Sequence, residues 1–230
     1  MSRSIVLALL CSLCGVSWIA RDVRAADVRG QLLLGSAREP TAAKLPRPAF
    51  NWELENGVKE VVATHVVAQR ELAVVLLGAG SPKNKEPVDV SVSGGALLPS
   101  TLVLRADTTL RIRNDDEIGH ELYAVGLDGF SAEATSPNGS RSVHLTKVGS
   151  WPVLDRLASH AHAHLHVIDN VVATAKLEPN GSFAFADVPA GKYTLKVFRG
   201  PSELASKEVD VGDKPLTVDA LTLGQDKSGS

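Results

Sequence analysis

SGGALLPSTLVLRADTTLRIRNDDEIGHELYAV, residues 93–125, reads as a pair of strands followed by a polar loop that ends near His120. Thr101-Leu102-Val103-Leu104-Arg105 and Thr109-Leu110-Arg111-Ile112-Arg113 are short, rich in β-branched residues and leucine, and carry no 3.6-residue apolar stripe. The same reading extends outward. Glu71-Leu72-Ala73-Val74-Val75-Leu76-Leu77 and Lys192-Tyr193-Thr194-Leu195-Lys196-Val197-Phe198 are further strands, and Gly, Pro, Asn and Asp punctuate the chain at intervals of about ten residues. Asn56-Gly57, Asn138-Gly139 and Asn180-Gly181 are turn dipeptides, which supply positive φ at little cost. The expected class is all-β.

A chain of 230 residues that is 44% hydrophobic can bury one large core or two small ones. The formal charge is −2 and the basic residues are scattered, which disfavours nucleic acid and anionic lipid as partners. Arg3, the apolar run Ile5 to Ala20, and Val23-Arg24-Ala25 together read as a signal peptide over residues 1–25, so a periplasmic or secreted protein is expected. The run is short for a membrane span, although Arg21, Asp22 and Arg24 so near the cleavage point leave an uncleaved anchor as the alternative. Cys11 and Cys14 both fall inside this leader. A mature chain without cysteine has no disulfide, no thiolate metal site, no iron–sulfur cluster and no thiol nucleophile. With no transmembrane span expected after cleavage, its partners would be a metal ion, or an unidentified protein or glycan.

Composition divides the rest. SAREPTAAKLPRP (36–48) and GAGSPKNKEP (78–87) read as connectors, and the tail GQDKSGS (224–230) has nothing to bury. No enzyme motif of the G-x-S-x-G, H-E-x-x-H or Walker type occurs, and Asp115-Asp116-Glu117 reads as a solvated turn. A non-enzymatic protein is expected.

Residues 88–170 resemble a cupredoxin of the plastocyanin-like type often labelled methylamine utilization protein. The resemblance rests on the proline before a strand, the strand pair, and Asn114-x-Asp116-x-x-x-His120, where that family places its first copper-binding histidine. NGSFAF-x-DVPAGKYTL, residues 180–195, is similar to the tail of those proteins and to carboxypeptidase-regulatory-type sandwiches. The resemblance implies a cupredoxin-like Greek-key sandwich at 88–169 and a small Ig-like, carboxypeptidase-regulatory-like sandwich at 170–223. The strands within 26–87 could complete the second sandwich from across the chain. The family closes its copper site with a loop G-x5-C-x2-H-x2-M. Counted from Gly149, the thiolate, imidazole and thioether positions are Asp155, Ala158 and Ala161. A blue copper centre needs a thiolate, so type 1 copper is not expected, while His120 and Asp155 stay as candidate ligands. Each also has a plainer reading, His120 as a structural histidine and Asp155 as a turn cap.

SHAHAHLHVID, residues 159–169, sets His160, His162, His164 and His166 at alternate positions. On a strand they share one face at steps of about 6.5–7 Å, while Ala161, Ala163, Leu165 and Val167 face the core. Such a row suits Cu(II), Zn(II) or Ni(II), with a further ligand from a neighbouring strand or loop. It equally suits a solvated face or a domain junction. Mutual repulsion should keep the imidazoles neutral near pH 7. His144 is expected to face solvent, and His65 has no partner readable from sequence. Two functions follow: a periplasmic, non-redox transition-metal binder, or a metal-free sandwich for adhesion, carbohydrate binding or scaffolding. The low aromatic content, 4%, argues against a broad sugar-stacking platform.

Overall fold

The computed structural model describes residues 25–34, 67–80, 86–158 and 161–224. Most of the leader, the 36–48 connector, His65, part of the 78–87 connector, His160 and most of the tail lie outside the described residues.

In chain order the elements are β1 (Ala25–Leu33), a one-turn helix α1 (Ala68–Glu71), β2 (Leu72–Gly78), β3 (Val88–Ser93), β4 (Ala96–Leu98), β5 (Thr101–Arg105) and β6 (Thr108–Asn114). They continue with β7 (Leu122–Ala124), β8 (Ser140–Leu145), β9 (Gly149–Asp155), β10 (His162–Ile168), β11 (Val171–Thr174) and β12 (Lys176–Leu177). The last are β13 (Ser182–Pro189), β14 (Gly191–Arg199), β15 (Ser202–Val211), β16 (Leu216–Thr217) and β17 (Leu221–Thr222). The protein is all-β.

Two sheets, β4-β3-β6-β8 and β5-β10-β9-β7, face each other across one core. Period-2 alternation assigns the inward residues: Val90 and Val92 on β3 and Leu110 and Ile112 on β6 meet Trp151 and Val153 on β9 and Leu165 and Val167 on β10. β3 pairs with β6, and β5 with β10, in parallel, while the remaining pairs of these sheets are antiparallel. The strands before and after this unit in the chain make the second one. β1 pairs with β13 and β2 with β14, and their two sheets share a core in which Val28, Phe183 and Phe185 meet Val74, Leu76 and Leu195.

β2 explains why ELAVVLL is apolar without a break. Leu72, Val74 and Leu76 enter the second core, while Ala73, Val75 and Leu77 pack with Val103, Val171 and Phe198 between the two sandwiches. A strand buried on both faces has no polar side to alternate with. The joint also carries polar bonds. Thr101 Oγ1, on a side chain almost wholly buried, donates to the Glu71 carbonyl at 2.6 Å and accepts the Gly200 N–H at 2.8 Å.

Candidate functional site

Histidine chemistry gathers in two places: the pole of the first sandwich around His120, and the outer face of β10 where it meets the second sandwich.

At the pole, the β6–β7 loop is shaped by Asn114. Its fully buried side chain accepts the Asp116 N–H at 2.9 Å and donates to the carbonyls of Ile118, at 2.7 Å, and Thr135, at 3.0 Å. This turns Asp116 inward rather than into solvent, against the sequence reading of a solvated turn: its side chain is 16% exposed, whereas Asp115 pairs outward with Arg113. Gly94 and Gly95, both at positive φ in the β3–β4 turn, donate their N–H groups to the Asp116 carboxylate at 2.6 and 2.7 Å. Two consecutive positive φ values are why glycines stand there.

His120 has no exposed surface. Its main chain bridges to Thr135, and its ring lies between two carboxylates: Nδ1 is 2.5 Å from Asp155 Oδ2 and Nε2 is 3.1 Å from Asp116 Oδ2. Asp155, at the end of β9, accepts the N–H groups of Glu121 and Leu157 through Oδ1, at 3.0 and 2.8 Å. Hydrogen bonds from Gly95 first, then from Gly94 and His120, hold the Asp116 carboxyl below its usual range. For Asp155 burial pushes upward, but the Glu121 and Leu157 N–H groups and the His120 ring outweigh it, and the net shift is downward. The sequence-predicted pair His120 and Asp155 is thus brought together, as direct hydrogen-bond partners. Ala158 and Ala161, at the register positions of the other two loop ligands, are buried and joined by a bond from the Ala161 N–H to the Ala158 carbonyl at 2.9 Å.

These donors do not fit a type 1 copper ion. The thiolate position that the sequence resemblance implies holds Asp155. Its oxygen also lies closer to the His120 nitrogen than the roughly 3 Å or more by which a shared metal would separate them, given metal–ligand bonds of about 2.0–2.2 Å.

On β10 the alternation is as the pattern implies, with Leu165 and Val167 fully buried in the first core. The opposite face is graded. His162 is exposed, His164 is half-buried, and His166 is 5% exposed. The gradient arises because β10 runs into the joint. His166 packs on Phe198 with ring centroids 4.8 Å apart, and its Nε2 donates to the Gly200 carbonyl at 2.7 Å. The His164 ring stands 4.8 Å from that of His166, and its Nε2 shares a 2.7 Å hydrogen bond with Ser150 Oγ. Burial, and secondarily the neighbouring His166, lowers the His164 pKa to about 4. Burial also lowers that of His166, against the Gly200 bond. At His164 neutrality near pH 7 therefore comes first from desolvation, with repulsion from His166 the smaller cause.

His162 and His164 open onto a cleft of about 460 Å³ at the joint, together with Ser100, Pro201 and the Glu71–Arg199 ion pair at 2.7 Å. Among the described residues, no group of three or more His, Cys, Asp or Glu side chains is placed to hold a metal ion. His144 lies exposed beside Asp107, at 3.2 Å.

No protein-family model matches the sequence, and no curated protein matches it. Solved structures do match part of it. A reduced mutant of amicyanin aligns over 41% of this chain and 97% of its own at 12% identity, with a TM-score of 0.33. Amicyanin from Paracoccus versutus aligns over 43% and 99% at 16% identity, with a TM-score of 0.33. A Cu-containing nitrite reductase from Thermus scotoductus aligns over 41% of this chain and 25% of its own at 16% identity, with a TM-score of 0.35. Likeness at this level is a partial one of shape, and it transfers no residue role. No helix among the described residues is long and apolar enough to cross a membrane.

Proposed function

We propose that this chain is an exported, redox-inert and non-enzymatic binding or scaffolding module, a cupredoxin-like sandwich fixed to a second sandwich, with the junction cleft as its binding face. One observation carries the reading: both ring nitrogens of the buried His120 are taken up by carboxylates. A metal ion entering there would have to displace bonds already made. Export is supported by the apolar leader Ile5 to Ala20 and its Val23-Arg24-Ala25 ending. Elemental analysis of the mature protein, purified without a histidine tag or metal column, tests it. The expected result is less than a tenth of an equivalent of any transition metal, and a stoichiometric metal would overturn it.

A second reading has its own support. His162 and His164 line the same cleft, and His164 keeps a neutral ring at pH 7, the form that ligates. On this reading Cu(II), Zn(II) or Ni(II) is captured at the open end of the row, with His160 as a further candidate ligand, while His120, Asp155 and His166 take no part. Calorimetric titration with Zn(II) separates the two: binding at micromolar concentration, lost in His162→Gln/His164→Gln, favours the second.

A further inference from the structure

We propose that Asp116, His120 and Asp155 form a buried, charged clasp, with a proton on each ring nitrogen of His120, that fastens three segments of the pole in place of a metal ion. It rests on the same pole geometry as the module reading and adds what holds that pole together. The three segments are the β3–β4 turn, the β6–β7 loop and the end of β9. They are tied through Gly94 and Gly95 to Asp116, through Asp116 to His120, and through His120 to Asp155. Asp155 and His120 are 35 residues apart in sequence, so the bond closes a long loop.

The hydrogen bonds around the two carboxyls point to where the protons are. A protonated carboxyl must donate, and it needs an acceptor. Asp116 meets the N–H groups of Gly94 and Gly95, and Asp155 meets those of Glu121 and Leu157, all of them donors. Among the described residues, the only other hydrogen-bond partner of either carboxylate is the His120 ring, and the N–H groups that bind them help hold both carboxyls below their usual range, so both are ionised at pH 7. Two ionised carboxylates on the two ring nitrogens require both nitrogens to donate, and a neutral imidazole has one N–H. Charge-assisted bonds of this kind are the stronger class, and removing one partner from a buried ionic group leaves the remainder unpaired.

The test is the nitrogen-15 spectrum of the His120 ring in chelator-treated protein at pH 7. The clasp requires two protonated ring nitrogens, each with a slowly exchanging, low-field N–H. A ring nitrogen without a proton would overturn it. A second measurement uses Asp155→Asn, which keeps the shape and removes the charge. The thermal midpoint should fall by roughly 10 °C, as loss of a buried ionic partner implies, and the Nδ1 proton should lose its low-field position. An unchanged midpoint would overturn the clasp. If Asp155→Asn does not fold, that is the same loss in a stronger form, and the wild-type spectrum still decides. The module reading fails separately: Zn(II) or Cu(II) bound with both His120 protons in place overturns that reading and supports the clasp.

Discussion

Nδ1 of His120 lies 2.5 Å from Oδ2 of Asp155, and both side chains are fully buried. In the loop register that the sequence resemblance implies, Asp155 takes the thiolate position. The two candidate ligands of the sequence reading are linked to each other. Protein loaded with Cu(II) should show at most weak d–d absorption, with no intense thiolate-to-copper band near about 600 nm, because no cysteine follows Cys14 in the sequence. An intense blue colour in the absorption spectrum would contradict this.

Histidines of one row should differ sharply in what they contribute to stability. His162→Gln alters an exposed side chain and should cost within about 0.5 kcal/mol in urea denaturation. His166→Ala leaves the Gly200 carbonyl without its donor and strips contact from Phe198, so a loss of about 2–3 kcal/mol is expected. Equal, small effects at both positions would mean that the row lies wholly on a surface.

The joint between the sandwiches should depend on one hydroxyl. Thr101→Val keeps the shape but leaves the Glu71 carbonyl and the Gly200 N–H without Thr101 Oγ1, and should cost about 2 kcal/mol or more. Phe198→Ala, which empties the apolar part of the same joint, should cost about 3–5 kcal/mol. Urea midpoints of both variants check this, and a neutral Thr101→Val would show that water replaces the hydroxyl.

Acid should weaken the fold in two stages. His164 and His166 have folded pKa values below the unfolded value of about 6.5, so between that pH and the His164 value of about 4 the unfolded chain binds more protons. Stability therefore falls as pH drops through this window and is level above it with respect to these groups. Asp116 and Asp155 are also depressed, so their contribution is present above an unfolded pKa of about 3.9 and is lost as pH falls further, through their folded values. Urea denaturation across pH 3–8 should show the first decline below about 6.5, and a flat profile down to pH 4 would contradict the burial of the row.

How much of this was legible in the sequence follows from the range over which each feature is determined. The all-β class and the inward set Leu165 and Val167 follow from local alternation. The loop register marked His120 and Asp155 as candidate metal ligands, and their direct hydrogen bond lies outside what register alone can tell. Asp116 was misread as solvated because what turns it inward is the Gly94-Gly95 turn, 22 and 21 residues earlier, together with the buried Asn114 side chain. The burial of His166 depends on Phe198 and Gly200, which reach it across the joint from β14 and the turn that follows. Period-2 reasoning says which face a residue takes and is silent on what covers that face.

The central claim is that the His120 pole is closed to metal, and it is tested most directly by calorimetric titration of His162→Gln/His164→Gln with Cu(II) at pH 7. This variant leaves Asp116, His120 and Asp155 untouched while removing the open imidazoles of the cleft. The expected result is no binding tighter than about 100 µM, a free energy of roughly 5.5 kcal/mol, whatever the wild type does. Submicromolar, one-to-one Cu(II) binding by this variant, lost again in Asp155→Asn, would contradict the account.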